Sequence, residues 1–207
     1  MTDILCFGDS NTWGYDPKTK GRFPEDIRWT GLLRERFGEG FNVIEEGLCG
    51  RTTVYEDKTR PGRKGIDAIE DLFSKNKDID AVILMLGTND CKTYNHSSAE
   101  SITMGIDSCL QVILENVPEE KVLLISPIHL GEKVWEQDFD PEFDPHSVII
   151  SRSLKAEYEK LAQKRRVHFL AASDYAAPSK EDREHLNEKG HLLLASAVYE
   201  KVKKMVS

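Results

Sequence analysis

Five residues of this 207-residue chain carry the groups that acyl transfer needs, and they lie far apart in sequence. Ser10, in Gly8-Asp9-Ser10-Asn11, offers a hydroxyl nucleophile. Asp182 and His185 stand three residues apart in Asp182-Arg-Glu-His185, an interval that fits a single turn. In such a turn the carboxylate fixes the imidazole tautomer, and the other ring nitrogen takes the serine proton. The backbone N–H groups of Ser10 and Gly50, with the side-chain amide of Asn89, make three donors for a tetrahedral oxyanion. Each signal also has a plainer reading. Ser10 or Asn11 can cap a helix, and Asp182 and His185 can be solvated members of the charged stretch 180–189.

The five can act together only if the fold gathers them. Ile4-Leu-Cys-Phe7 is a short apolar run that reads as a buried strand. It ends in Gly-Asp-Ser, which puts the hydroxyl just past the carboxyl edge, where open α/β sheets bind ligands. Further strand runs cover 42–46, 81–86, 121–126 and 167–171. Helical spacing recurs in Trp29, Leu32, Leu33 and Phe37, and again in Ile66, Ile69, Leu72 and Phe73. A third helix, capped by Ser98, carries Ile102, Ile106, Leu110 and Ile113. A fourth spans about 148–164. Asn187 caps the last, whose stripe is Leu194, Val198, Val202 and Val206. Residues 15–26 and 131–146 read as loops.

Strands alternating with helices predict an α/β fold: a three-layer α/β/α sandwich around a five-stranded parallel sheet. In the flavodoxin-like order 2-1-3-4-5 the first strand is central, between the second and third. The segments bearing Ser10, Gly50 and Asn89 then emerge side by side. With no repeat or linker, residues 1–207 read as one domain.

A formal net charge of -8 argues against a nucleic-acid partner and against docking on an anionic membrane. No apolar run approaches membrane-spanning length, and the first strand begins too early to leave room for a signal peptide. Cys6, Cys49, Cys91 and Cys109 are scattered, with no Cys-x-x-Cys pair, which fits a reducing compartment; the expected location is cytoplasmic. The histidines show no metal-ligand spacing, so no metal site is expected.

Taken in order, Gly8-Asp9-Ser10-Asn11, Gly47-Leu-Cys-Gly50, Gly87-Thr-Asn89-Asp90 and Asp182-Arg-Glu-His185 resemble the four blocks of the SGNH branch of the GDSL esterase and lipase family. The longer stretches 8–17 and 45–53 look most like its arylesterase and acyltransferase subgroup. The resemblance implies a small-molecule ester substrate, attack by Ser10, proton transfer by His185 oriented by Asp182, and an oxyanion hole of Ser10, Gly50 and Asn89. It implies no metal or organic cofactor. Asp9, Asn11 and Trp13, with His129 and Trp135, are the expected substrate-binding residues. Asn11 stands where the family's nickname has leucine. Arg183 stands where the last block has glycine, and a positive φ there would cost about 1 kcal/mol or more.

Several alternatives stay open at this level. Deacetylation of sugars and hydrolysis of lysophospholipids use the same chemistry, as does acyl transfer to an alcohol. A catalytically silent binding domain would keep the same fold. A flavodoxin-like cofactor protein fits the sheet, but Asp9 places a carboxylate where phosphate would go. Trp135, Phe139 and Phe143 either wall a pocket or anchor the interface of a homo-oligomer. Arg60, Arg63 and Lys64 either draw an anionic substrate or form a solvated loop.

Overall fold

The structure, a computed structural model, describes residues 1–75 and 78–206. Five strands form one parallel sheet: β1 (Thr2–Gly8), β2 (Phe41–Gly47), β3 (Ala81–Met85), β4 (Val122–Ser126) and β5 (His168–Ala171). Their order is β2-β1-β3-β4-β5, the 2-1-3-4-5 pattern expected from the sequence. Helices α1 (Ser10–Trp13), α2 (Trp29–Phe37), α3 (Gly65–Lys75), α4 (Ala99–Leu114), α5 (Pro145–Arg165) and α6 (Glu188–Val206) complete the fold.

The two-residue period of the strands sorts their side chains into two cores. Leu5, Phe7, Val82, Leu84, Val122 and Leu124 face α3, α4 and α5, where Ile69, Ile102, Ile106 and Leu154 meet them. Ile4, Cys6, Ala81, Ile83, Leu123 and Ile125 face the other way, onto Trp29 and Leu33 of α2 and Leu194, Val198 and Val202 of α6. Both faces are covered, so β3 is buried from end to end. Each of the larger side chains contributes about 1.5–3 kcal/mol by leaving water.

Three local readings change. The stretch 15–26 is not all loop: Tyr15–Asp16 and Gly21–Arg22 pair as a short antiparallel hairpin. Helix α5 begins at Pro145, because Asp144 accepts from the Ser147 N–H at 2.7 Å and Ser147 answers in a capping box. His146 therefore lies in that helix and the preceding loop is shorter. At the end of α6 Met205 takes the buried place and Val206 is only half-buried. The expected caps are present, with Ser98 accepting from Ser101 N–H and Asn187 from Gly190 N–H. Among the described residues no helix is long and apolar enough to cross a membrane.

Candidate active site

Register brings the three chemistry-bearing loops together. Gly8 at the end of β1 lies opposite Gly47 of β2 and Met85 of β3. The chain turns at once into α1, so tightly that a Cβ on Gly8 would lie 2.1 Å from Thr12 Oγ1 and 2.6 Å from the Met85 carbonyl. Only glycine fits there. Asp9 caps the turn by accepting from Asn11 N–H at 3.0 Å. Ser10 follows, buried, at the carboxyl edge.

The segment before α6 delivers the partner groups from the far end of the chain. Leu186 N–H donates to Asn11 Oδ1 at 2.9 Å, which ties this segment to the Ser10 turn. Ser179 N–H bonds the His185 carbonyl at 2.6 Å, and Asp182 Oδ1 accepts from the N–H groups of Glu184 and His185. His185 Nδ1 is then 2.6 Å from Asp182 Oδ2, and Nε2 is 2.7 Å from Ser10 Oγ. Tyr15 packs against the imidazole, ring centroids 4.4 Å apart.

Electrostatics suit an imidazole that must accept a proton. Burial by itself would depress the His185 pKa, but the charges of Glu184, Asp182 and Asp9 and the Asp182 hydrogen bond outweigh it, and the pKa is raised. Burial acts against ionised Asp182, yet hydrogen bonds from His185 and two backbone N–H groups hold its carboxyl below the ordinary value.

Gly50 and Asn89 meet at the same edge. Gly50 has φ +81°, a left-handed turn that glycine adopts without strain. Asn89 donates one amide N–H to the Arg51 carbonyl at 3.1 Å, and its carboxamide carries a second N–H. The neighbouring Asp90 is fully buried and accepts from Thr53 N–H at 2.9 Å, so the loops after β2 and β3 are locked together. Burial pushes the Asp90 carboxyl up to about 6.

Ser10, Gly50, Asn89, Asp182 and His185 all line one open cleft of about 320 Å³. Tyr15, Cys49, Lys92, Phe139, Asp140 and Glu184 line it too. The five expected substrate contacts lie elsewhere. Asp9 and Asn11 are buried braces of the Ser10 turn, engaged as described above. Trp13 is covered by the Arg22 guanidinium at 5.4 Å. His129 is pushed down in pKa by burial and sits away from the cleft lining. Trp135 packs against the hydrophobic core in which Phe143 is buried, so Phe139 alone of that aromatic trio reaches the cleft.

The basic stretch is not simply solvated: Arg60 lines the cleft while paired with Asp57 and Glu142, and Arg63 donates to the Cys49 carbonyl. Lys92, almost wholly buried, pairs with Asp140 and Glu142 and fastens the segment before α5 onto the Asn89 turn. Nothing in local periodicity marks these residues, although Glu184 and Lys92 lie within three residues of chemistry-bearing side chains. Among the described residues no cluster of three or more His, Cys, Asp or Glu is placed to hold a metal.

Arg183 does adopt a positive φ, +63°. Several contacts offset the strain. Its carbonyl accepts from Gly131 N–H at 2.7 Å, its Nη1 donates to the Glu132 carbonyl at 2.6 Å, and its guanidinium lies 4.3 Å from the Phe139 ring. The arginine thus anchors the segment that supplies Phe139 to the cleft.

None of the curated proteins matches significantly. Among solved structures, the chain is similar to the native aryl esterase of M. smegmatis, with 33% identity over 99% of this chain and 100% of that one, and a TM-score of 0.90. It is equally similar to Est24, a carbohydrate acetylesterase from Sinorhizobium meliloti: 32% identity over 99% and 100% of the two chains, TM-score 0.90. The model of the GDSL-like lipase/acylhydrolase family matches residues 6–193, and the chain belongs to that family.

Proposed function

We infer that the protein is a carboxylic ester hydrolase for small acyl or aryl esters, acting through Ser10, His185 and Asp182 and an acyl-enzyme. The observation that carries this reading is the unbroken chain from Ser10 Oγ to His185 Nε2 at 2.7 Å and from Nδ1 to Asp182 at 2.6 Å. His185 takes the hydroxyl proton as Ser10 Oγ bonds to the ester carbonyl carbon. The tetrahedral intermediate then collapses, the ester C–O bond breaks, and the imidazolium returns the proton to the departing alkoxide. Water, activated by the same histidine, repeats the sequence and frees the acid. Because the cleft is open, hydrolysis is the default outcome. An alcohol that displaces water on the acyl-enzyme would make the protein an acyltransferase. A fluorophosphonate probe tests the reading directly: Ser10 is expected to be labelled, and absence of labelling would leave a silent binding domain.

Asn89 and the N–H groups of Ser10 and Gly50 are the donors for the oxyanion. Asn89→Ala is expected to lower kcat by about 100- to 1,000-fold with little change in KM, the usual loss for one such donor. A variant that loses affinity while keeping kcat would make Asn89 a ground-state contact.

Turnover requires neutral His185. Since its pKa is raised, kcat/KM is expected to climb with pH through one ionisation above the ordinary imidazole value of about 6.5. An acid limb centred below that value would contradict this account of the charges around the ring.

A second reading is supported by the lining itself. Lys20, Arg60, Asp138, Asp140, Glu181 and Glu184 make the cleft markedly polar, which favours acetylated carbohydrates over long-chain lipids. A series of p-nitrophenyl esters of rising chain length, run beside acetylated sugars, separates the two.

A further inference from the structure

Among the described residues, Glu184 is the one buried carboxylate of the cleft that the acyl-transfer scheme leaves unused. It is 6% exposed, and that exposure faces the cleft it lines. Among the described residues no donor hydrogen-bonds its side chain; the nearest charge partner is His185 Nε2, at 3.8 Å from Oε1. Other charged groups around it are Lys92, Asp140 and Asp182, and each is engaged elsewhere. Lys92 pairs with Asp140 and Glu142, and Asp182 accepts from His185. Its oxygens are not sealed from solvent, so a ligand that fills the cleft there without supplying a donor would leave the charge desolvated at a cost.

Its position says which part of a ligand would satisfy it. In acyl transfer the departing alcohol oxygen takes its proton from Nε2, so it lies beside that nitrogen. The Glu184 carboxylate flanks the same nitrogen. A hydroxyl on the carbon next to the one that bears the ester oxygen is one gauche torsion from the leaving oxygen and falls within its reach. We propose that Glu184 is a specificity-determining residue that accepts a hydrogen bond from a hydroxyl adjacent to the ester on the alcohol side, selecting esters of vicinal diols and polyols. The proposal rests on the esterase reading above and names the feature of the alcohol that the cleft reads.

The test measures kcat/KM of the full chain for three acetates. Hydroxyethyl acetate carries the donor. Methoxyethyl acetate has nearly the same leaving-group reactivity without it, and trimethylammonioethyl acetate is a cation that cannot donate. Hydroxyethyl acetate is expected to be preferred over methoxyethyl acetate by about 10- to 100-fold, the usual reach of one hydrogen bond to a charged group. The preference should shrink in Glu184→Gln, which keeps an acceptor, and vanish in Glu184→Leu. If Glu184 acted only by tuning His185, both esters would change alike and the ratio would persist, which overturns the proposal. Equal rates for the two esters in the unmodified protein overturn it without any variant, and a preference for the trimethylammonio ester would make charge the selected feature instead. Absence of turnover with every ester, p-nitrophenyl acetate included, would remove the esterase reading itself and this proposal with it.

Discussion

Ser10→Ala is expected to abolish ester hydrolysis, lowering kcat/KM by about 10⁴- to 10⁶-fold, while the fold survives. The hydroxyl is the group that bonds to the acyl carbon, and no other nucleophile replaces it. Cys49 also lines the cleft, but burial pushes its thiol up to about 11, so little thiolate exists at neutral pH. The substitution removes one oxygen from a buried position and a single hydrogen bond to His185, so the thermal transition should move only slightly. Steady-state rates with an activated ester, read beside a circular dichroism melt, decide the matter. A folded Ser10→Ala protein within tenfold of the wild-type rate would refute the mechanism.

The second large effect separates two histidines six residues apart. His185→Ala is expected to lose about as much activity as Ser10→Ala, since removing one member of a unit costs nearly as much as removing all. Asp182→Asn should fall by about 10⁴-fold, because a neutral amide permits the wrong imidazole tautomer. His191→Ala should behave differently. Glu188 and His191 stand three residues apart in α6, an interval that by itself suggests a surface ion pair on the helix face. In the structure Glu188 pairs with Lys18 instead, at 3.2 Å. His191 is fully buried, its Nδ1 accepts from Trp29 N–H at 3.3 Å, and its ring meets Phe23 edge-on. Burial, with the nearby charges of His185 and Arg28, pushes its pKa down to about 3.

This makes His191 a structural neutral imidazole. Its alanine variant is expected to lose about 2–4 kcal/mol of stability, from the cavity and the orphaned Trp29 N–H, while kcat per folded molecule is retained. The sign of the pH effect follows. The folded pKa lies below the unfolded one, so His191 contributes fully above about 6.5 and its contribution is lost as pH falls from there toward 3. Urea titrations of wild type and His191→Ala should therefore converge as the solution is acidified. An inactive but stable His191→Ala, beside an active His185→Ala, would reverse the assignment of the base.

How much of this was legible beforehand depended on whether the signal was local. Apolar runs such as 81–86, and the helical spacing of Trp29, Leu33 and Leu194, are imposed by burying one face of a regular element. Their period therefore appears in the sequence whatever they pack against. Gly8 belongs partly to the same class, since the tight turn into α1 brings Thr12 against it, although the Met85 carbonyl of β3 closes the same space. Handedness and short crossovers pointed to the layered sandwich, and within it the flavodoxin-like 2-1-3-4-5 order, taken as the expectation and found in the sheet, brings the segments bearing Ser10, Gly50 and Asn89 together.

Only the tertiary structure decided where side chains in irregular segments point. Ser10 and His185 touch across 175 positions of sequence, and no periodicity spans that interval. The approach rests on Leu186 bonding to Asn11, on the left-handed turn at Arg183, and on Gly131 meeting the Arg183 carbonyl. Asn11 consequently braces the turn, Trp135 turns to the core, and His191 is buried against α2. Glu184 enters the cleft for the same reason. In a strand or helix, spacing dictates direction; in a loop, direction is set by each residue's φ and ψ and by its distant partners, and these exist only once the chain has folded.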